Sequence, residues 1–196
     1  KILLFDDGLQ DKYIDYDLKF VCFDTNKWIG NGRLIPSGPL REKIDSLQKY
    51  DVVFLKGEKK SNKTFTRLIH KINPKIKVFT TKFEITNLKK FNKKNNFLIF
   101  SGIGNSDDFK MTLIKNKFKV VKEIIYPDHY QYKNSDIKKI NNLAKKMNAK
   151  IITSEKDYVK IRLLNYKNIN FLKINLLIND KKNLLNFIKA KFYEKN

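Results

Sequence analysis

Apolar and polar positions alternate along this chain in short blocks. Apolar runs of strand length fall near 2–5, 19–24, 51–55, 76–81, 97–100, 119–125, 149–153 and 169–174. They are rich in Ile, Val and Phe, the side chains that suit a pleated surface covered on one or both faces. Between several of them the spacing becomes that of amphipathic helices, at 40–49, 62–73, 106–117, 135–147 and 155–164, with a last one at 181–194. Ser106 ahead of Asp107 and Asp108, the pair Ser135-Asp136, and Asp180 are helix-start signals. Their side-chain oxygens can accept the free N–H groups of a first turn, and acids there complement the helix dipole. Alternation of this kind predicts an α/β architecture with largely parallel strands.

Four stretches place polar groups at the ends of apolar runs. The first is KILLFDDGLQ, in which Ile2–Phe5 reads as a buried strand with Asp6 and Asp7 at its tip. Two carboxylates there are costly unless a cation or hydrogen-bond donors receive them. A strand-end turn and a Mg²⁺ site both fit, since Mg²⁺ needs only one or two such ligands. The second is GNGRLIPSGPLRE at 30–42, whose dense Gly and Pro fix a specific loop. Arg33 and Arg41 could receive phosphate oxygens there, or the segment could simply lead into the helix at 40–49. In the third, Tyr126-Pro127-Asp128-His129-Tyr130, a histidine beside a carboxylate can act as an acid–base element. His70, inside an amphipathic stretch, reads as an ordinary helix residue. The fourth, Ile151-Ile152-Thr153-Ser154-Glu155-Lys156-Asp157, is explained by a helix start and leaves nucleotide contact as the alternative.

The 196 residues suffice for one domain or two small ones. The polar run 88–96, followed by Ser101-Gly102-Ile103-Gly104-Asn105, marks a boundary. It predicts a first unit over 1–95, a second over 97–175, and a final helix within 176–196 that packs back on the first. No stretch has the roughly 18 to 20 apolar residues of a membrane-spanning helix. Cys22 is the only cysteine, which excludes a disulfide framework within the chain; its apolar neighbours predict a buried structural thiol in a reducing compartment. The formal charge of +22 comes from 42 basic residues, of which only Arg33, Arg41, Arg67 and Arg162 are arginine. Lys and Asn are spread along the whole chain with abundant Ile, as drift toward AT-rich codons would produce. Charge alone therefore singles out no partner; attraction to an anionic membrane surface ranks next and nucleic acid last.

Together, DDGLQ at 6–10, GNGRLIPSGPLRE at 30–42, GIGN at 102–105, PDHY at 127–130 and SEKD at 154–157 resemble, in this order, the tetraacyldisaccharide 4′-kinase family of lipid A biosynthesis. The resemblance implies an incomplete P-loop NTPase-like α/β/α domain followed by a smaller α/β domain joined by a β-strand linker. It implies ATP as phosphoryl donor, Mg²⁺ as cofactor and the 4′-hydroxyl of a tetraacyldisaccharide 1-phosphate lipid as acceptor. It further implies a monomer working on an anionic membrane surface, at the cytoplasmic face of a Gram-negative inner membrane, with no nucleic-acid partner. By the same likeness Asp6 and Asp7 would hold Mg²⁺, and His129 would support the carboxylate that activates the acceptor hydroxyl. Glu42 would act in catalysis, Asn31, Arg33 and Arg41 would contact substrate or phosphate, and Glu155 and Lys156 would lie near the nucleotide. Asp11 stands where the family usually has His, and Ser154 where Thr is common. Nothing in the sequence reads G-x-x-x-x-G-K-[ST], and the chain starts at Lys1 rather than Met. The expectation is therefore a C-terminal portion, inactive alone, whose phosphate loop, probable base and membrane-associating segment lie upstream. A basic module binding nucleic acid or anionic lipid, and a related kinase with another acceptor, are the competing readings.

Overall fold

The computed structural model describes residues 2–11, 13–57 and 59–193. Two four-stranded sheets organise it, one in each of two compact units. The first unit comprises 1–82 with 176–196, and the second comprises 83–175. The polar run 88–96 thus falls inside the second unit. Residue 194, the end of the expected last helix, lies outside the described residues.

In the first unit, β1 (Phe20–Asp24), β2 (Val52–Lys56) and β3 (Lys77–Ile85) run parallel, with Val53 between Val21 and Val78. A helix, α1 (Lys59–Ile72), carries the chain from β2 to β3, and β8 (Ile174–Ile178) lies on the far side of β3. Strand periodicity divides the core. Val53 and Leu55 pack with Leu47, Ile69 and Ile76, while Val52 and Phe79 pack with Leu184 of α5 (Lys181–Tyr193). Val52, Val53 and Leu55 are fully buried, each contributing roughly 1.5–3 kcal/mol of apolar transfer. Asp180 accepts the Asn183 N–H (3.3 Å) at the start of α5.

The second unit holds an all-parallel sheet in the order β5-β4-β6-β7. Its strands are β4 (Asn96–Ser101), β5 (Lys119–Ile125), β6 (Ala149–Ser154) and β7 (Ile169–Leu172). The helices are α2 (Ser106–Lys115), α3 (Asn134–Lys146) and α4 (Glu155–Ile161), each crossing from one strand to the next. β4 is a continuous apolar run because both its faces are covered. Leu98 and Phe100 meet Ile137, Ile140 and Ala144 of α3, whereas Phe97 and Ile99 meet Phe109 and Leu113 of α2. The chain steps from β4 to β5 on one side and then places β6 on the other, so the order reverses at β4. The carboxyl ends of β4 and β6 flank that reversal, the place where open α/β sheets bind ligands.

Three expectations are corrected. Ile2–Phe5 forms no strand: it finds no ladder among the described residues, and Leu3 and Leu4 are 82% and 91% exposed. The expected helix at 40–49 shrinks to a 3₁₀ turn over Ile44–Lys49. Leu40 is held extended instead, its N–H bonded to Arg33 O (3.1 Å) and its carbonyl to Ile35 N (2.8 Å), which no helix could accommodate. Cys22 is exposed rather than buried: β1 is an edge strand, and position 22 has a strand neighbour, Phe54, on one side only. β8 was hidden in the sequence behind β7, separated from it by Lys173 alone. No helix among the described residues is long and apolar enough to cross a membrane.

Two predictions follow from the carboxyl edge of the first sheet. The space for a Cβ at Gly57 is occupied by the hydroxyl of buried Thr25. Gly57→Ala should therefore lower stability by about 1–3 kcal/mol, read from the urea midpoint, and Thr25→Ala should recover part of the loss. Nearby, Lys56 Nζ lies 2.8 Å from Asp24 Oδ2. Burial works to raise the Asp24 pKa, but the Lys56 bond, the Asn26 N–H and the charges of Lys56 and Lys27 hold it below its ordinary value. A depressed carboxylate stabilises the fold above the unfolded pKa of about 3.9 and loses that contribution as pH falls through the lower folded value. Lys56→Met should flatten the acid-side decline in melting temperature below about pH 4.

Candidate active site

In the first unit the DDGLQ segment forms a bend instead of a strand tip. Asp7 takes the left-handed conformation (φ 58°), and Tyr16 donates its hydroxyl to Gly8 O (2.7 Å) while its ring meets Phe5 edge-on. The bend aims Asp7 at the second motif: Arg41 Nη1 donates to Asp7 Oδ1 (2.5 Å) and lies 3.3 Å from Gln10 Oε1. The hydrogen bond to Asp7 and that residue's charge raise the Arg41 pKa further.

The loop that presents Arg41 is built from its own polar groups. Asn31 donates from Nδ2 to Ser37 O (2.8 Å) and accepts the Arg33 N–H at Oδ1 (3.1 Å), so its amide is spent inside the loop. A Cβ at Gly38 would overlap both Asn31 Oδ1 and Arg33 O, which makes glycine obligatory there. Trp28, stacked on Phe65 at 4.0 Å, anchors the loop's entry. Glu42, next to Arg41, accepts the Tyr50 hydroxyl (2.9 Å). Burial first, and the Glu42 carboxylate second, push the Tyr50 pKa up to about 12. Arg33 is exposed, with its N–H and carbonyl engaged in the loop.

In the second unit GIGN, PDHY and SEKD meet at the carboxyl ends of β4, β5 and β6. Gly102 N donates to Asp157 Oδ2 (3.0 Å), and Ser154 Oγ donates to the same oxygen (2.7 Å). The GIGN loop in turn lies bare against PDHY, since a Cβ at Gly104 would stand 3.1 Å from Asp128 Oδ2. His129 sits on this turn at φ 60°, with its N–H bonded to Asp128 Oδ1 (2.9 Å) and its side chain 74% exposed. Tyr126, Tyr130 and Tyr132 pack ring to ring behind it, and Tyr130 donates to Asp136 Oδ2 (3.1 Å). Glu155 and Lys156 start α4, with Lys156 exposed. His70, by contrast, rests on α1 with Nε2 3.2 Å from Ile76 O.

The first unit thus brings Asp7 to Arg41 with Asp6 adjacent and Glu42 next in sequence. The second gathers His129, Asp128 and the start of α4. The residue that sequence reasoning passed over is Asp157, the buried member of SEKD. Its signal was the spacing Ser-x-x-Asp, a helix-start box in which the acid at the third position reaches back.

Adjacent exposed carboxylates at Asp6 and Asp7 have the hard-oxygen chemistry that suits Mg²⁺ carried with phosphates and water. Among the described residues, no three His, Cys, Asp or Glu side chains group to hold a metal by themselves. Two adjacent carboxylates have the chemistry for an ion that draws its other ligands from phosphate and water.

Parallel-rich sheets whose polar loops collect at their carboxyl edges define an α/β protein. Over residues 1–193 the chain matches the family described as LpxK, tetraacyldisaccharide-1-P 4′-kinase. The chain belongs to this family. It is 47% identical over 196 residues to the tetraacyldisaccharide 4′-kinase of Pelagibacter ubique (strain HTCC1062), covering 100% of this chain and 62% of that protein. To the tetraacyldisaccharide 4′-kinase of Rickettsia canadensis (strain McKiel) it is 36% identical over 197 residues, covering 98% of this chain and 58% of that protein. The fold is similar to that of a crystal structure of "apo" LpxK from Aquifex aeolicus in complex with ATP, with a TM-score of 0.64 and 21% identity. That likeness covers 95% of this chain and 56% of the other. The chain accordingly spans about 60% of the length of these relatives.

Asp7 and Arg41 are 65% and 52% exposed, so solvent screens their pair and leaves it little weight in folding. Asp7→Asn and Arg41→Met should leave the urea midpoint unmoved; a clear drop in either would mean that the loop's fold depends on the pair.

Proposed function

We propose that this chain is part of an enzyme that transfers the γ-phosphate of ATP to the 4′-hydroxyl of a tetraacyldisaccharide 1-phosphate lipid. The observation that carries the proposal is the meeting of DDGLQ and GPLRE through Asp7 and Arg41, 34 positions apart in sequence. It puts a carboxylate pair suited to Mg²⁺ beside a guanidinium suited to phosphate, the two charge types that phosphoryl transfer demands. Membership of the family and the ATP complex of the Aquifex aeolicus relative support the same reading.

In this reading the first unit is an incomplete P-loop NTPase-like domain and the second a smaller α/β domain reached through β-strands. When bound, Mg²⁺ would neutralise charge on the transferring phosphoryl group, with Asp6 and Asp7 holding it. Arg41 keeps Asp7 oriented and, with Arg33, offers the fixed positive charge that receives phosphate oxygens. Asn31 shapes the loop that carries both arginines, and Glu42 is held beside Arg41 by Tyr50. His129, exposed on its turn, is free to orient a carboxylate that takes the acceptor's proton. Glu155 and Lys156 border the nucleotide. The enzyme would work as a monomer at the cytoplasmic face of the inner membrane, the acyl chains remaining in the bilayer and lysines meeting anionic lipid.

The test is 4′-phosphorylation by the full-length protein, with radiolabelled ATP and acceptor lipid in detergent micelles. Asp7→Asn and His129→Ala should each lower kcat by on the order of 10²-fold or more without shifting the melting temperature. Parental turnover in both variants would remove the assignment.

A further inference from the structure

We propose that Asp157 is a positioning residue, whose buried carboxylate ties the β4–α2 loop to the start of α4 and thereby sets the turn that carries His129. The inference rests on the kinase reading of His129 and adds to it the device that holds His129 in place.

Asp157 is 0% exposed, an expensive situation for a carboxylate without partners. Part of its bonding is ordinary helix capping. Ser154 Oγ accepts the Asp157 N–H (3.1 Å) and donates back to Oδ2 (2.7 Å), closing the first turn of α4. Capping needs nothing more, yet the same Oδ2 also accepts the Gly102 N–H (3.0 Å) from a loop 55 residues away. On the other side Lys160 Nζ approaches Oδ1 at 3.4 Å, with only 17% of its side chain exposed. The carboxylate therefore joins two βα junctions, those that flank the reversal of strand order.

Gly102 transmits that tie. A Cβ there would stand 3.0 Å from Pro127 O and from the Tyr132 hydroxyl, and 3.3 Å from Tyr130 Cβ. The glycine backbone is thus packed directly on the residues either side of Asp128 and His129. Tyr130 N closes that turn on Pro127 O (3.2 Å), and the three tyrosine rings back it. With no slack between Asp157, Gly102 and the turn, a displaced loop displaces His129. Misplacement by about 1 Å at a reacting centre costs on the order of 10²-fold in rate.

The experiment measures kcat and the KM for ATP on the full-length protein with acceptor lipid in detergent micelles. Asp157→Asn has a single acceptor oxygen; drawn to the Lys160 ammonium, it sets the amide N–H₂ against the Gly102 N–H, and the tie is lost. This variant should lower kcat about tenfold or more while KM stays within about twofold. Ser154→Ala, which removes the cap and spares the Gly102 bond, should lower the melting temperature and leave kcat within about twofold. The decisive readout is the double variant: because Asp157 acts through His129, Asp157→Asn with His129→Ala should be no slower than His129→Ala alone. A kcat for Asp157→Asn within about twofold of the parent overturns the proposal, as does multiplication of the two single losses in the double variant. A Ser154→Ala loss as large as that of Asp157→Asn also overturns it, since capping would then explain both. Should Asp157→Asn fail to fold, Gly102→Ala presses on Pro127 and Tyr132 with the carboxylate intact. It must then show the same kcat loss and the same non-additivity, and parental turnover overturns the proposal. Undiminished turnover in His129→Ala would instead sink the kinase reading of that residue, and this inference with it.

Discussion

Parallel neighbours in a sheet cannot be joined by a tight turn, because the chain must first travel back along the length of the strand it has just left. In both units that return trip is made mainly by helices or long loops packed on the sheet faces, and it explains where the polar chemistry lies. Every strand of the second sheet ends at the same edge, so GIGN, PDHY and SEKD, spread from 102 to 157 in sequence, become neighbours. In the first sheet the crossover from β1 to β2 contains the Gly- and Pro-rich loop, which leaves the same edge and bends back to face Asp7. The apolar faces that hold each sheet together are thus also what crowds each unit's own motif-bearing loops together.

Those loops keep their shapes largely by bonds within themselves, which frees other groups for outside work. The Asn31 amide, the Gly38 backbone and the Leu34–Leu40 pairing fix the 30–42 loop without drawing on either arginine side chain. Two of the four arginines in a chain otherwise basic through lysine sit in this one loop. Lysine serves as a diffuse, strongly hydrated charge, whereas a planar guanidinium can meet two oxygens at once. The distribution separates a diffuse lysine background from two guanidinium groups placed in one loop.

Where a segment's environment was determined by its own pattern, the sequence was readable. The Phe97–Phe100 run reads as a strand and the amphipathic stretch 135–147 as a helix, and β4 and α3 stand there. Reading failed where the outcome depended on partners outside the segment itself. Ile2–Phe5 has the composition of a buried strand but no ladder among the described residues, and residues 40–43 have a helical pattern overruled by the Leu40 pairing with the Arg33–Ile35 segment. The burial of Cys22 depended on whether β1 was an edge strand, which local composition does not encode. Within SEKD, the two charged residues that stood out were the solvent-side ones. Asp157 was passed over because its bond to Gly102 is visible only once β4 and β6 are side by side.

The discontinuity of the first unit has a consequence for biosynthesis. Residues 176–196 belong with 1–82, and the second unit is spliced between them. Leu184 of α5 closes the face of the first sheet formed by Val52 and Phe79. During translation that face must wait, uncovered, while the whole second unit leaves the ribosome. The second unit, continuous in sequence and built from short βα steps, can complete its own core in the meantime. On the ribosome, the first sheet would therefore be sealed by α5 only after the second unit has emerged.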